Sequence, residues 1–241
     1  MFLDRVTITG ADDTTSVTSL QELSNKYPFV EWGFLLSEYR EGSNRYPSRD
    51  YLALLLNPPH IDNQKLQISF HVCGSMSRAL MEGNSEPLDN FLKSVSLPSS
   101  YRIQINWNLK YAKSKPVVFD CLKQKSPEVD YIIQHNKSNR TLWIQCRAAD
   151  IFPHVLFDAS GGRGVVSSSF RSPLPGLFCG YAGGLNPNNI EDVLKKLENV
   201  VGEGACWVDV ETGVMNSYNN LDLEKVDAFL SICSSYVLSV K

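Results

Sequence analysis

The sequence lacks the features that mark several classes of protein. The closest of its six cysteines, Cys121 and Cys146, are 25 residues apart, so it has neither a zinc-type CxxC pair nor a small disulfide scaffold. No apolar run approaches the length that crosses a bilayer, and the start, MFLDRV, does not resemble a signal peptide. Basic residues are not in excess, because 23 Lys and Arg face 26 Asp and Glu. We therefore expect no nucleic-acid partner, no membrane partner and a cytoplasmic protein with reduced thiols.

The chain has no linker rich in Pro, Gly or Ser, so we expect one domain over residues 1–241. Short apolar strands alternate with helical or loop segments throughout. The predicted strands are Val6–Gly10, Val30–Ser37, Leu66–Gly74, Tyr101–Trp107, Val129–His135, His154–Ser160, Leu177–Gly183 and Cys206–Gly213. The clearest helices are Thr15–Lys26, Ser75–Val95, Asn188–Val201 and Leu223–Val237. Eight such units predict an α/β protein with a single (β/α)8 TIM barrel, whose usual size is ~250 residues. An open doubly wound sheet is the alternative, although no early GxGxxG turn supports it.

Two glycine-rich turns follow predicted strands in the second half of the chain. The run HVLFDASGGRG places Asp158 at the end of an apolar strand, directly before the first turn. The run YAGGLNPNN ends the next strand, and a helix is predicted to open behind Asn186 and Pro187. The glycines of the two turns are Gly161, Gly162, Gly164, Gly183 and Gly184. Backbone N–H groups in such turns bind anions, so we expect a phosphate between them, with help from Thr212.

Polar side chains also gather near the carboxyl ends of the predicted strands. Alternate residues of a strand face opposite sides of the sheet, which sends His71 and Cys73 toward the barrel axis with Gln104. By the same alternation, Asp158 and Asp209 face inward on the sixth and eighth strands. The carboxyl ends of the strands carry the active site in this architecture.

Three segments resemble the carboxyl-terminal signatures of the phosphoribosylanthranilate isomerase family. They are LFDASGGRG at 156–164, AGGLNPNNI at 182–190 and VDVETGV at 208–214, in the order and spacing of that family. Upstream, TITG at 7–10 is similar to the first-strand signature, and 32–47 is similar to the second strand and its loop. The resemblance implies a barrel enzyme that performs an Amadori rearrangement of an aminoaldose phosphate to a 1-amino-1-deoxyketose phosphate.

That reaction needs an acid at the ring oxygen and a base at C2 of the sugar. The resemblance assigns the acid to Asp158. The family's base is a first-strand cysteine, and Thr9 stands in its place. A threonine hydroxyl is too weakly acidic to supply a base near pH 7, whereas a thiol with a pKa of about 8.5 needs little tuning. We therefore expect the base among Cys73, His71 and Asp12, in that order, although Asp12 and Asp13 are more readily explained as caps of the first helix.

The resemblance also predicts residues that bind the substrate, with some departures. Glu211 replaces a neutral family serine, and Arg163 replaces a family threonine. The guanidinium of Arg163 is a candidate either to compensate the charge of Glu211 or to bind a differently charged ligand. The predicted substrate-binding residues are Arg45, Gln104, Gly161, Gly162, Gly164, Gly183, Gly184, Asp209, Thr212 and Gly213.

Two functions follow from these observations. The first is an isomerase of this type that acts on a small phosphorylated molecule with no cofactor and no metal ion, as a monomer or homodimer. The second is a noncatalytic phosphosugar-binding barrel that lost its chemistry with the first-strand cysteine.

Overall fold

The strands of the protein form a closed parallel barrel. The computed structural model describes residues 1–56, 66–109, 117–125, 129–158 and 169–238. Within these ranges each strand pairs with the next along the chain, and the last pairs with the first. The strands are β1 (Phe2–Thr9), β2 (Val30–Leu36), β3 (Gln67–Val72), β4 (Arg102–Ile105), β5 (Asp130–His135), β6 (His154–Asp158), β7 (Cys179–Ala182) and β8 (Ala205–Val210). The closure confirms the predicted (β/α)8 fold and excludes the open sheet.

Helices surround the barrel on its outer face. In the described ranges they are α1 (Val17–Lys26), α2 (Arg49–Leu56), α3 (Gly74–Met81), α4 (Glu86–Lys93), α5 (Asp120–Lys125), α6 (Leu142–Ala148), α7 (Ile190–Val201) and α8 (Leu223–Cys233), with short 3₁₀ turns at Thr212–Val214 and Ser234–Tyr236. No helix in this part of the chain combines the length and the apolar character needed to span a bilayer.

The long helix predicted over Ser75–Val95 is wrong, because two helices occupy that segment. Helix α3 ends at Met81 and α4 begins at Glu86. Gly83 lies between them with φ of 84°, a left-handed backbone conformation that favours glycine and ends a helix. Pro87, in the first turn of α4, suits the start of a new helix.

The predicted caps of the first helix are also corrected. The cap of α1 is Ser16, whose Oγ accepts a hydrogen bond from the backbone N–H of Ser19. Asp12 and Asp13 instead hold loops together. Asp12 accepts hydrogen bonds from Thr14 and from the backbone N–H of Arg45, and Asp13 accepts them from Ser48. The two aspartates therefore join the loops that follow β1 and β2.

The interior of the barrel contains a buried ion pair below the level of the carboxyl ends. Arg102 on β4 donates from Nε to Glu31 Oε1 on β2 at 2.8 Å, and its guanidinium lies 4.6 Å from the centre of the Trp207 ring. Both charged side chains are buried. Burial favours the neutral form of Glu31, but the charges of Arg102 and Arg5 outweigh it and lower its pKa to about 2. The pair therefore stays ionised and fixes β2 and β4 from inside.

A small apolar cluster lies beside this pair and forms part of the floor under the carboxyl ends. It consists of Ile132, Leu156 and Trp207, which are all fully or almost fully buried. The backbone of Gly180 accommodates the Trp207 ring, because a Cβ there would lie 2.1 Å from the indole. The interior around Trp207 is thus packed, and the polar side chains at the carboxyl ends lie above it.

Candidate active site

A cavity of about 250 Å³ opens at the carboxyl ends of the strands. It lies where the architecture places active sites. Its lining is mostly polar and includes several predicted site residues. The lining residues are His71, Gln104, Asn106, Gln134, Leu156, Asp158, Ala182, Gly183, Gly184, Asp209, Glu211 and Thr212. Six distant segments of the sequence thus contribute to one site.

The two predicted aspartates occupy equivalent heights on either side of β7. Asp158 on β6 is in register with Ala182, and Ala182 is in register with Asp209 on β8. Both aspartates are buried, with 4% and 8% of their surface exposed. Neighbouring strands are about 4.8 Å apart, so two inward carboxyl groups separated by one strand face the same small volume. One bound molecule can contact both.

Asp209 has a single hydrogen bond in the described part of the chain. Thr9 donates from Oγ1 to Asp209 Oδ1 at 3.0 Å. Burial raises the pKa of Asp209 to about 8, and the nearby carboxylates Glu211, Glu31 and Asp158 act in the same direction while the Thr9 hydroxyl opposes them. The Asp209 carboxyl group therefore changes charge close to neutral pH.

His71 and Gln104 form the opposite wall. The Nδ1 atom of His71 lies 3.4 Å from the amide nitrogen of Gln104. Burial lowers the pKa of His71 to about 4, so its ring is neutral at pH 7. Its Nε2 atom and the Gln104 Oε1 atom are buried without a partner in the described ranges, although both residues line the cavity. Unpaired buried polar atoms are costly, so these two indicate a polar ligand.

Gly33 allows His71 and Thr9 to approach each other inside the barrel. A Cβ at this position would lie 2.3 Å from Thr9 Oγ1 and 3.0 Å from the His71 ring. The absent side chain leaves both polar groups directed toward the barrel axis. A row of functional groups thus runs from β3 past β2 to β1 and β8.

Cys73, the first candidate for the base, lies beside the cavity and not among its lining residues. Its thiol lies 3.4 Å from the carbonyl oxygen of His71 and accepts a hydrogen bond from the side chain of Asn106 at 3.1 Å. Burial raises the pKa of Cys73 to about 11, which outweighs the effect of Asn106. A thiol with so high a pKa is protonated at neutral pH, and the geometry does not favour it as a base.

Asp12 and Arg45 lie together at the edge of the site and outside the lining. The guanidinium of Arg45 donates to Glu211 Oε1 at 2.8 Å and contacts Asn219. Arg45 therefore compensates the charge of Glu211, which was one of the two roles predicted for Arg163. Arg163 itself lies outside the described residues. Asp12 accepts its hydrogen bonds from Thr14 and from the Arg45 backbone, as described above.

The predicted phosphate site is described only in part. Gly183 and Gly184 line the cavity with φ of 104° and 67°, which supports a tight turn that glycine adopts without strain. Thr212 lines the cavity beside them. Gly213 packs against the β7 loop, where a Cβ would lie 1.8 Å from the carbonyl oxygen of Leu185. Gly161, Gly162 and Gly164 lie outside the described residues.

The expected helix opening behind Asn186 differs in detail. The backbone N–H of Asn186 donates to the Asn189 side chain, and that of Asn188 donates to the Asn186 side chain. The helix itself begins at Ile190. These N–H groups are therefore already used within the loop, and the anion site stays a prediction for the Gly183–Gly184 turn.

Gln134 is a lining residue that the sequence analysis missed. It lies on β5 in register with Leu156 and faces the cavity. The alternation of β5 contains this signal, because Ile132 and Gln134 share a face and Ile132 packs in the interior cluster. Applied to all eight strands, the alternation predicts this residue.

Comparisons with known proteins give a match to one family model and a similar fold. The sequence model of N-(5′-phosphoribosyl)anthranilate (PRA) isomerase matches residues 116–231. No curated protein matches the chain significantly. The solved structures below are similar over nearly the whole barrel but only 14 to 16% identical, so they bear on the fold alone.

Three of these structures illustrate the likeness. Phosphoribosylanthranilate isomerase from Thermotoga maritima is 14% identical, with 96% of this chain and 99% of that chain covered and a TM-score of 0.58. The enzyme from Thermus thermophilus is 16% identical, with 96% and 98% covered and a TM-score of 0.57. A third isomerase, in complex with reduced 1-(o-carboxyphenylamino)-1-deoxyribulose 5-phosphate, is 16% identical, with 97% and 100% covered and a TM-score of 0.57.

Proposed function

We propose that this chain, whose residues 116–231 match the sequence model of PRA isomerase, catalyses the Amadori rearrangement of a ribosylamine 5-phosphate at the cavity above β6, β7 and β8. The observation that carries this proposal is the placement of Asp158. This buried carboxyl group lies at the carboxyl end of β6 and faces the cavity, one strand from the Gly183–Gly184 turn.

Asp158 acts as the general acid in this proposal. It donates a proton to the ring oxygen of the sugar while the bond between C1 and that oxygen breaks. The lone pair of the exocyclic nitrogen forms the C1=N bond, so that the ring opens to an imine. A base then removes the proton from C2, and the resulting enolamine becomes the ketose.

The phosphate group of the substrate binds at the turn of Gly183 and Gly184, with the hydroxyl group of Thr212. Both glycines and the threonine line the same cavity as Asp158. Phosphate binding there holds the sugar ring beside the acid, which lowers the entropic cost of proton transfer. Gln104, His71 and Gln134 supply polar contacts on the opposite wall.

Phosphoribosylanthranilate is the first substrate to test, because the matched family model carries its name. The experiment is turnover of this compound by the purified protein, together with complementation of a tryptophan auxotroph that lacks the isomerase. We expect turnover and growth. Absence of both, with phosphate binding retained, would favour the noncatalytic barrel instead.

The state of the cysteines bears on the cellular compartment of the protein. All six cysteines are free in the structure, including five that are buried. Free thiols suit a reducing compartment, so we infer a cytoplasmic enzyme. The state of assembly, monomer or homodimer, is testable by analytical ultracentrifugation.

A further inference from the structure

The structure gives Thr9 a function that its chemistry alone does not suggest. The threonine at the family's cysteine position is no base, yet it is buried, and its hydroxyl group lies beside Gly33 inside the barrel. Its hydroxyl donates to Asp209 on the neighbouring strand β8. The hydrogen bond occupies Oδ1 of Asp209. Oδ2 has no hydrogen bond in the described part of the chain and belongs to a residue that lines the cavity.

We propose that Asp209 is the base that removes the proton from C2 of the sugar, and that Thr9 is the positioning residue that orients its carboxyl group. This inference rests on the proposed function. The catalytic base of the site has then moved from the first strand to the eighth, over a distance of one strand spacing, about 4.8 Å.

The proton affinity of Asp209 is suited to this task. A free thiol has a pKa of about 8.5, whereas an ordinary aspartate, near 3.9, is far too weak a base for a carbon acid. Burial, with the carboxylates around it, raises the pKa of Asp209 to about 8. Asp209 therefore reaches nearly the same basicity as the cysteine that Thr9 replaces, and such a pKa lies close to the optimum for proton transfer near neutral pH.

The other candidates for the base fit less well. The pKa of His71 is lowered to about 4, so its ring is a weak base, and the Cys73 thiol is held protonated. Asp12 accepts three hydrogen bonds and does not line the cavity. Among these residues, Asp209 alone combines a place in the lining with a pKa near neutral.

The surroundings of Asp209 are acidic on several sides. Glu31 on β2, Asp158 on β6 and Glu211 after β8 all raise its pKa, while the Thr9 hydroxyl on β1 lowers it. Glu31 and Glu211 are themselves paired with Arg102 and Arg45, and neither arginine bonds to Asp209. The neutral ring of His71 faces the cavity from β3.

The step balances without a further reactant. Ionised Asp209 takes the C2 proton, the electron pair of the C2–H bond forms the C1=C2 bond, and the electrons of the C1=N bond move to nitrogen. The enolamine then returns to the ketone by losing the proton of its C2 hydroxyl and gaining one at C1. Because the rearrangement is an isomerisation, no net proton, electron or atom is consumed.

The test compares Asp209→Asn and Asp209→Glu with the parent, using phosphoribosylanthranilate as substrate. We expect kcat to fall by about 10²- to 10⁴-fold in the asparagine variant, the usual contribution of a general base, and less in the glutamate variant. Affinity for the reduced deoxyribulose 5-phosphate analogue should change little. The matched control is Asp192→Asn, since Asp192 is exposed on α7, outside the site.

The pH dependence separates a base from an acid at this position. If Asp209 is the base, kcat/KM of the parent rises with pH and levels off above about 8. Thr9→Val removes a hydrogen bond that lowers the pKa of Asp209, so the rise should move to higher pH, and Thr9→Ser should restore it. A merely structural threonine would not shift the profile.

Three outcomes overturn the inference. An active Asp209→Asn variant removes the base role while leaving the proposed function in place. A kcat/KM that falls through pH 8 in the parent, and no longer does so in Asp209→Asn, makes Asp209 the acid. A parent that neither turns over phosphoribosylanthranilate nor complements the auxotroph refutes the proposed function itself, and the inference is withdrawn with it.

Discussion

Asp158 and Asp209 lie on either side of Ala182, at one level of the barrel. The small methyl group of Ala182 leaves the space between the two carboxyl groups open, and all three residues line the cavity. An isomerisation by proton transfer needs a donor and an acceptor in contact with one substrate. In the proposed mechanism, Asp158 is the donor and Asp209 the acceptor, and the register of three adjacent strands places them at one level.

Replacement of Asp158 by asparagine preserves the shape of the side chain but removes its proton. We expect kcat to fall by about 10²- to 10⁴-fold, while the affinity for the reduced deoxyribulose 5-phosphate analogue stays near that of the parent. Steady-state kinetics and calorimetry measure the two quantities. Near-parental turnover in Asp158→Asn would refute the general-acid assignment.

The glycine turn after β7 should be intolerant of a carboxylate. Gly183→Asp adds a negative charge beside the expected phosphate and a side chain at a φ of 104°, so stabilisation by phosphate in a thermal-shift assay should disappear. Gly176→Asp is the matched control, because Gly176 also has a positive φ, 73°, with open space around it. Equal phosphate stabilisation in the two variants would contradict this placement.

Cys73 should be dispensable for chemistry. Its thiol is held protonated and lies outside the lining, so Cys73→Ser should lower kcat by less than about tenfold, which corresponds to about 1.4 kcal/mol. The measurement is kcat at pH 7 and pH 8.5. A loss of about 10²-fold or more at both values would return the base to this cysteine, as the sequence alone suggested.

The buried pair of Arg102 and Glu31 should dominate the stability of the barrel interior. Arg102→Met leaves Glu31 buried without its main partner, and we expect the free energy of unfolding to fall by about 3 to 5 kcal/mol. Adding Glu31→Met should recover much of this loss, because the uncompensated charge is gone. Urea denaturation of the parent, the single variant and the double variant tests both statements, and a loss below about 1 kcal/mol in the single variant would contradict the first.

The raised pKa of Asp209 also predicts how stability depends on pH. The folded protein keeps this proton up to about pH 8, whereas the unfolded chain releases it near pH 3.8. Between these values the folded state binds more protons, so the free energy of unfolding contributed by Asp209 falls as pH rises. The stability of the parent relative to Asp209→Asn should therefore decline from pH 4 to pH 8. If the free energies of unfolding of the parent and of Asp209→Asn changed with pH in parallel, the pKa of Asp209 would not be raised in the folded protein.

Much of the fold could be predicted because its signals are local. Each strand is a short apolar run, and strand alternation alone directs His71, Gln104, Asp158 and Asp209 inward, where the structure has them. The boundary between α3 and α4 was missed because Gly83 interrupts a helical pattern that continues on both sides of it. A single glycine is a weak signal against that periodicity.

The decisive contacts of the site are not local and could not be predicted. Thr9 and Asp209 are 200 residues apart, and Arg45 and Glu211 are 166 apart. The composition of each segment gives no sign of these partners. The basicity of Asp209 depends on burial and on carboxylates from other strands, so it too exists only in the folded protein.

The hydrogen bond between Thr9 and Asp209 joins the first strand to the last, where the barrel is closed. During synthesis Thr9 leaves the ribosome early, and its hydrogen bond to Asp209 forms only after the eighth strand has emerged. A chain that ends after β7 contains Thr9 and Asp158 but lacks Asp209, so under the proposed mechanism it has an acid and no base. Under this proposal, turnover requires the pairing of β1 with β8. The return of activity during refolding would therefore measure how fast the barrel closes.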